Sequence, residues 1–399
     1  MDFITLERSV TAANYDPLPV VLREAKGVWA TDVEGRRYLD MMSAYSAVSL
    51  GHGHPRILRA MAEQAAKLAV TSRAYHTELL GPFLERLVAV TGLDMALPMN
   101  TGAEAVETAV KAARRWGYRF KKVPSNRAEI IVAENNFHGR TTTIVGFSSD
   151  ESYREDFGPF AGGFRQVPFG DVEAVAAAVT ENTCAILIEP IQGEAGIVVP
   201  PDGYLRELRA LCDRRNVLLI LDEVQSGLGR TGRWFAHQHE EIRPDGLILG
   251  KALGGGVYPV SAFVGTRELM SVFNPGSHGS TFGGNALAAR IGLEALSIIE
   301  EERLVERSAE MGDYLLTRLR DMRSNIVREV RGRGLWVGVE VDTSVVSARA
   351  VCDALLADGV LSKDTHGTTL RFAPPLTIGR EEIDWGMERI ERVFARAVH

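Results

Sequence analysis

Four short runs constrain this chain more than any other feature. AEIIVA (128–133), TCAILIE (183–189), VLLILDE (217–223) and GLILG (246–250) are apolar at nearly every position, not at alternate ones. A strand with one wet face alternates. A run of Ile, Val and Leu without alternation needs cover on both faces. Helical patterns lie between some of the runs, as in DVEAVAAAVT and GYLRELRALCDRRN. That alternation predicts an α/β domain with a mostly parallel sheet flanked by helices. With 399 residues and 45% hydrophobic content, the chain can bury such a sheet and build a second domain.

The character changes after Asn285. A long helical region leads into strand-like IVREVRGRGLWVGVEV, then helix ARAVCDALLADG, then TTLRFAPPL and a terminal helix. This predicts a smaller α+β domain over 286–399. The first fifty residues contain a hairpin-like unit, GVWATDVEGRRYLDM, that could belong with either part and is assigned to the smaller one. Residues 51–285 form the expected large domain. No internal repeat or low-complexity linker interrupts the chain.

Charge narrows the function classes. The net charge is -7 with both signs spread along the chain, which argues against a nucleic-acid stripe or a polybasic membrane segment. No apolar run approaches the ~20 residues of a membrane span. The N-terminus MDFITLERSV reads as neither a secretory signal nor a transit peptide. Cys184, Cys212 and Cys352 are far apart, and read as reduced core thiols of a cytoplasmic protein. His237 and His239 in AHQHEE could be taken for a metal pair. No third ligand lies at a sensible spacing, so a solvated turn and no metal are expected.

The run LILGKALGGG (247–256) ends in one lysine and three glycines. A phosphate-binding P-loop reading fails. Ala252 stands where a hydroxyl is needed, and Gly246 is one residue too close. A dinucleotide reading of GRGLWVG (332–338) places its last glycine one residue late, in a strand-like segment. A nucleophile is the remaining chemical reading. Burial or nearby cations lower an amine's pKa, and Gly254, Gly255 and Gly256 would let backbone approach a flat ligand. Asp222 ends an apolar strand, and a buried carboxylate there calls for a cationic partner such as a pyridinium nitrogen. A helix cap or core salt bridge is the commoner role for a lone Asp. Asn100-Thr101-Gly102-Ala103 opens a long amphipathic helix, whose N-terminus suits an anion, although plain N-capping is the ordinary explanation. Together the three features supply a phosphate seat, a pyridinium partner and a Schiff-base lysine. Those are the parts that pyridoxal 5'-phosphate requires.

These residues resemble the class III aminotransferases, pyridoxal-phosphate enzymes of fold type I. GHGHP (51–55), NTGAEAVETAVKAARR (100–115), NFHGRT (136–141), EPIQGEAG (189–196), LDEVQSGLGRTGRW (221–234), LGKALGGG (249–256) and HGSTFGGN (278–285) follow the family's order. NYDPLPV (14–20), SAYSAV (43–48), PMNTGAEA (98–105) and RFAPPL (371–376) resemble the bacterial branch that acts on ornithine. The resemblance implies that Lys251 binds the cofactor covalently and then moves the proton. Asp222 would keep the ring nitrogen protonated, Gln225 would hydrogen-bond the ring hydroxyl, and Phe137 would stack on the ring. Glu189 belongs to the implied cofactor set. Gly102 and Ala103 would give N–H groups to the phosphate. Ser280 and Thr281 would reach it from a neighbouring subunit, so a homodimer is implied.

The implied substrates are ornithine and 2-oxoglutarate. Arg371 would grip the α-carboxylate of 2-oxoglutarate, and Glu194 would pair with that arginine while ornithine is bound. Arg140 would hold the distal carboxylate of either substrate. Tyr15 would help hold the ornithine carboxylate, and Tyr45 would shape the pocket for the δ-amine. Core packing is the ordinary alternative for both tyrosines. Other class III donors (acetylornithine, 4-aminobutyrate, a diamine), a racemase, mutase or decarboxylase on the same fold, and a non-catalytic binding protein are the competing readings. Asp16 replaces a frequent histidine, Phe282 a tyrosine, Ala286 a proline, and His138 the tryptophan of animal enzymes.

Overall fold

The structure is a computed structural model that describes residues 2–396. Its centre is a seven-stranded sheet. The strands are β1 (Met95–Met99), β2 (Glu129–Ala133), β3 (Phe164–Val167), β4 (Thr183–Ile188), β5 (Leu218–Asp222), β6 (Gly246–Leu249) and β7 (Ser261–Gly265). They lie in the order β1-β7-β6-β5-β4-β2-β3. Strand β7 runs antiparallel to β1 and β6, and the other pairings are parallel.

The four apolar runs are β2, β4, β5 and β6, and the two-sided cover they need is present. Ile130, Val132, Ala185, Leu187, Ile220 and Ile248 pack into one core with helix α1 (Gly102–Trp116). Their neighbours Ile131, Ile186, Ile188, Leu219, Leu221 and Leu247 pack into a second core with the helix Tyr204–Arg215. Alternate side chains of a strand point to opposite faces, so an unbroken apolar run feeds two cores at once.

Helix α1 starts where the sequence breaks from β1 into polar residues. The Thr101 side chain accepts from the Glu104 N–H, and Glu104 reaches back to the Thr101 N–H at 2.8 Å. This capping box fixes the helix entry.

Beyond Asn285 come helices Ala286–Glu301 and Leu304–Asp321, followed by a second sheet. That sheet pairs Val327–Gly332, Val337–Val341, Thr369–Phe372 and Lys363–Thr365 in this order. Helix Leu304–Asp321 approaches it closely. A Cβ on Gly312 would fall 2.1 Å from the backbone of Gly334. The glycines of GRGLWVG therefore serve a helix–turn contact and the corner between two strands. A third sheet joins the ends of the chain. Hairpin strands Trp29–Asp32 and Arg37–Asp40 pair with each other, and Leu39 faces Val360 of the short strand Val360–Leu361.

Two expectations meet the structure differently. The three cysteines are free and buried, and burial pushes the Cys184 and Cys212 thiols up to about 12. They are packing residues. His237 is no solvated residue, which corrects the reading of AHQHEE. It is buried, and its Nδ1 lies 2.8 Å from Glu223 Oε1. The polar spelling of that stretch hid a buried pair, because the acidic partner sits in another motif. Among the described residues, no cluster of three or more His, Cys, Asp or Glu side chains could hold a metal ion, and no helix is long and apolar enough to cross a membrane.

Candidate active site

Because β1, β2, β4, β5 and β6 point the same way, the residues that follow them gather at one edge of the sheet. Asp222 ends β5, Glu189 follows β4, Asn136–Gly139 follow β2, Lys251 follows β6, and α1 begins after β1. Ligands of open α/β sheets bind outside the carboxyl ends of the strands. A cavity opens there. Lys251, Asp222, Gly102, Ala103, Gln225 and Phe137 line it.

Lys251 has φ +43° and starts a short 3₁₀ turn. Its amine is buried. Burial lowers the pKa, against the carboxylates of Glu194 and Asp222, which raise it. A lysine so placed gives up its proton more easily and becomes a nucleophile. The following glycines make room for other parts of the chain. A Cβ on Gly255 would come 2.9 Å from Ile57, and one on Gly256 would come 3.4 Å from Val48. The glycines therefore admit neighbouring parts of the same chain, while Gly256 alone of the three borders an adjoining hollow beside Lys251.

Asp222 is buried and carries a partner that the sequence did not assign. His138 Nδ1 donates to Asp222 Oδ2 at 2.7 Å, and Asp222 Oδ1 accepts from the Val224 N–H at 3.1 Å. Burial alone would lower the His138 pKa, but the hydrogen bond and charge of Asp222 outweigh it and the pKa rises. His138 was legible only as a family departure. Its signal was a histidine beside Phe137, and the partner lies 84 residues away. Glu189 is buried beside this pair, and burial pushes its carboxyl up to about 7. It accepts from the Phe137 N–H at 3.0 Å and the Gly193 N–H at 3.3 Å, so it fixes two loops of the cavity wall. At the start of α1, the Gly102 and Ala103 N–H groups find no acceptor among the described residues. Two free amides at a helix N-terminus, facing the cavity, suit a phosphate.

The substrate set is assembled less tightly. Arg371 and Glu194 form an ion pair, with Nη1 2.7 Å from Oε1. The contact is close, but Nη1 is out of hydrogen-bond alignment. Burial would raise the Glu194 pKa, and the Arg371 and Lys251 charges lower it further than burial raises it. Gln225 Nε2 donates to Glu194 Oε1 at 3.4 Å, which links the cofactor wall to this pair. The Arg371 guanidinium sits over the Tyr45 ring, 5.0 Å from its centroid. Arg140 stacks on Tyr153 at 3.7 Å, a tyrosine that no motif singled out. Tyr15 is 77% exposed and does not line the cavity. Its neighbour Asp16 is taken up by Arg349 at 2.8 Å. Ser280 and Thr281 do not line the cavity either. Ser280 Oγ accepts from Asn100 Nδ2 at 2.9 Å, and Thr281 is exposed.

The aminotransferase class-III family model matches residues 10–394. The chain belongs to the class-III aminotransferase family. This class-III chain is 58% identical over 383 residues to the ornithine aminotransferase of Halalkalibacterium halodurans, covering 96% of each. Among solved structures it is similar to the Toxoplasma gondii ornithine aminotransferase, with a TM-score of 0.98, 42% identity, and 99% and 94% of the two chains covered. It is also similar to the acetylornithine aminotransferase of Elizabethkingia anophelis, with a TM-score of 0.89 and 42% identity, over 99% and 98% of the two chains.

The Toxoplasma gondii structure has partial occupancy of pyridoxal phosphate at its active site. The class-III cavity described above fits that group on its own chemistry. It offers a buried amine for a carbonyl carbon, a buried carboxylate for a ring nitrogen, and two free helix amides for a phosphate. Apolar Phe137 and Val224 line the same cavity.

Proposed function

We propose that this chain is an ornithine δ-aminotransferase that uses pyridoxal 5'-phosphate. It passes the δ-amino group of L-ornithine to 2-oxoglutarate, and the products are glutamate 5-semialdehyde, which cyclises to 1-pyrroline-5-carboxylate, and L-glutamate. Bound pyridoxal phosphate supplies the electron-withdrawing ring and carries the amino group between the two half-reactions. Lys251 Nζ would hold the cofactor through its carbonyl carbon and would move a proton at the substrate's amine-bearing carbon. Asp222, oriented by His138, would keep the ring nitrogen protonated. Gly102 and Ala103 would seat the phosphate.

The observation that carries the substrate reading is the Arg371–Glu194 pair beside Tyr45. A cation that binds an α-carboxylate is wrong for the methylene chain of ornithine. Neutralised by Glu194, it tolerates that chain. Released from Glu194, it grips 2-oxoglutarate in bidentate fashion. Arg140 holds the distal carboxylate, and Tyr15 helps with that of ornithine. A racemase or decarboxylase has no use for such a switch.

A panel of amino donors with 2-oxoglutarate tests the assignment. Ornithine gives the highest kcat/KM, with semialdehyde as product. Preference for acetylornithine or 4-aminobutyrate would overturn the assignment. A two-fold dimer in the cytoplasm, with Ser280 and Thr281 offered to the partner's phosphate site, belongs to the same proposal. The exposure of Thr281 supports it. The pairing of Leu39 with Val360 supports counting residues 1–50 with 286–399 as one smaller domain beside 51–285.

A further inference from the structure

Tyr45 is held by a strained backbone. Ser43, Ala44, Tyr45 and Ser46 have φ of 43°, 47°, 58° and 73°. Each is an L-residue in the left-handed region, where Cβ crowds the following carbonyl. Such a turn persists only where its surroundings over-determine it. Ala44 and Ala47 of this segment border the hollow beside Lys251, so the strain lies at the site.

The restraints converge on one residue. Arg230 lies in the loop that follows Asp222 and is fully buried. Its Nη2 donates to Ser49 Oγ at 2.9 Å and to Ser43 Oγ at 3.3 Å. Each serine passes the contact into its own neighbourhood. Ser43 Oγ donates to the Ala373 carbonyl at 2.6 Å, and Ser49 Oγ donates to the Ser46 carbonyl at 2.8 Å. Nη1 of the same guanidinium donates to the carbonyls of Leu335 at 2.8 Å and Pro374 at 2.6 Å. One side chain thus clamps both ends of the left-handed turn and the segment just past Arg371. Asp40 anchors the entry to the turn by accepting from the Met42 and Ser43 N–H groups at 2.9 and 2.8 Å.

Arg230 has no carboxylate in contact among the described residues. Burial lowers its pKa to about 9, with the more distant charge of Asp40 opposing, so it stays a cation at neutral pH. A buried cation bonded only to neutral oxygens is a poor device for stability, and an apolar side chain of similar volume would serve that end better. What it supplies is directional constraint on segments far apart in sequence.

We propose that Arg230 is a positioning residue for the substrate end, holding the left-handed turn so that Tyr45 stands against Arg371 and the δ-amine of ornithine is chosen over its α-amine. The inference rests on the ornithine reading above. Two variants test it. Ser43→Ala with Ser49→Ala removes the turn-side acceptors and leaves the carbonyl bonds of Arg230 intact. Arg230→Lys keeps the charge and loses the fork. Both are loaded with pyridoxal phosphate, checked for melting temperature, and assayed for products from ornithine. The α-keto product should gain on the semialdehyde by about tenfold, while turnover of glutamate as donor stays within about twofold, since a loosened reacting geometry is felt first at the mispositioned substrate. Tyr45→Ala should show the same change in product ratio, and adding the serine changes to it should bring no further shift. An unchanged product ratio with all substrates slowed together makes Arg230 structural only and overturns the inference. Additive shifts in the triple variant overturn it as well. Wild-type protein that makes no semialdehyde sinks the ornithine reading itself, which separates the two failures.

Discussion

The cofactor end and the substrate end of this cavity are built by different means. Lys251, Asp222, Glu189 and the Gly102–Ala103 amides sit at the ends of buried strands or at a capped helix start. Sheet register sets their mutual placement, and two packed cores hold the sheet. Tyr45, Glu194, Arg371 and Arg140 come from a strained turn, a loop, a strand of the second sheet and another loop. Long-range polar contacts hold them, among them those of Arg230. The first end is fixed by the sheet register and by the packing on both of its faces. The second is joined by polar contacts between separate segments, and such contacts can exchange partners, as the proposed two-substrate site requires.

That contrast can be broken or sharpened by substitution. Lys251→Ala should abolish turnover, with a loss of at least ~10³ in kcat, because it removes both nucleophile and proton carrier. The fold should survive, since Lys251 follows β6 and lies outside the strand. Circular dichroism and loss of the bound cofactor's visible absorbance check this. Survival of ornithine turnover would show that the two ends are not distinct in the way described.

Glu194→Gln should have a smaller and one-sided effect. It leaves Arg371 charged and unpaired beside the ornithine chain. The kcat/KM for ornithine should fall about tenfold or more, while the KM for 2-oxoglutarate stays or falls. Separate half-reaction measurements decide this. An equal loss in both would mean that the pair is a fixed structural bridge.

The smallest effect concerns pH at the cofactor end. Glu189 is raised in the folded chain to about 7 from an ordinary value of 4.5. The folded state then binds more protons than the unfolded state between those values, so this group's contribution to stability is full below 4.5 and is lost as pH rises through 7. The total is roughly 3 kcal/mol at most. The raised His138 acts in the same direction near its own range. Denaturant melts of the cofactor-free protein at pH 5 and 7 should show the decline, and Glu189→Gln should flatten it. A decline that persists unchanged in the variant assigns it to other groups.

Most of the central sheet was legible in the sequence. Unbroken apolar runs demand two covered faces, and four such runs name four of its strands. The two edge regions were less plain. β1 (MALPM) is partly exposed and carries a proline, β7 (SAFVG) is buried but opens on serine and ends on glycine, and β3 (FRQV) is half exposed, so none has the spelling of the four runs. At the site, Lys251 and Asp222 were readable because each is a charge at the end of an apolar run. His138 and Arg230 were not, since their buried partners lie in distant motifs. Tyr153 carried no local signal at all. The His237–Glu223 pair was misread for the same reason, because polar spelling reports exposure only on average.

The sequence by itself determined four strands of the central sheet, the helices between them, and, through Lys251, Asp222 and the start of α1, the class of chemistry. These follow from local physics: periodicity, capping, and the cost of a charge beside apolar neighbours. Only the tertiary structure decided that Gly255 and Gly256 after Lys251 admit Ile57 and Val48, that Asp222 leans on His138, and that a buried arginine clamps a left-handed turn. Each of those facts depends on which segments meet in space. Local spelling does not contain that information, because a buried polar group is stabilised by a partner whose position only the completed fold supplies.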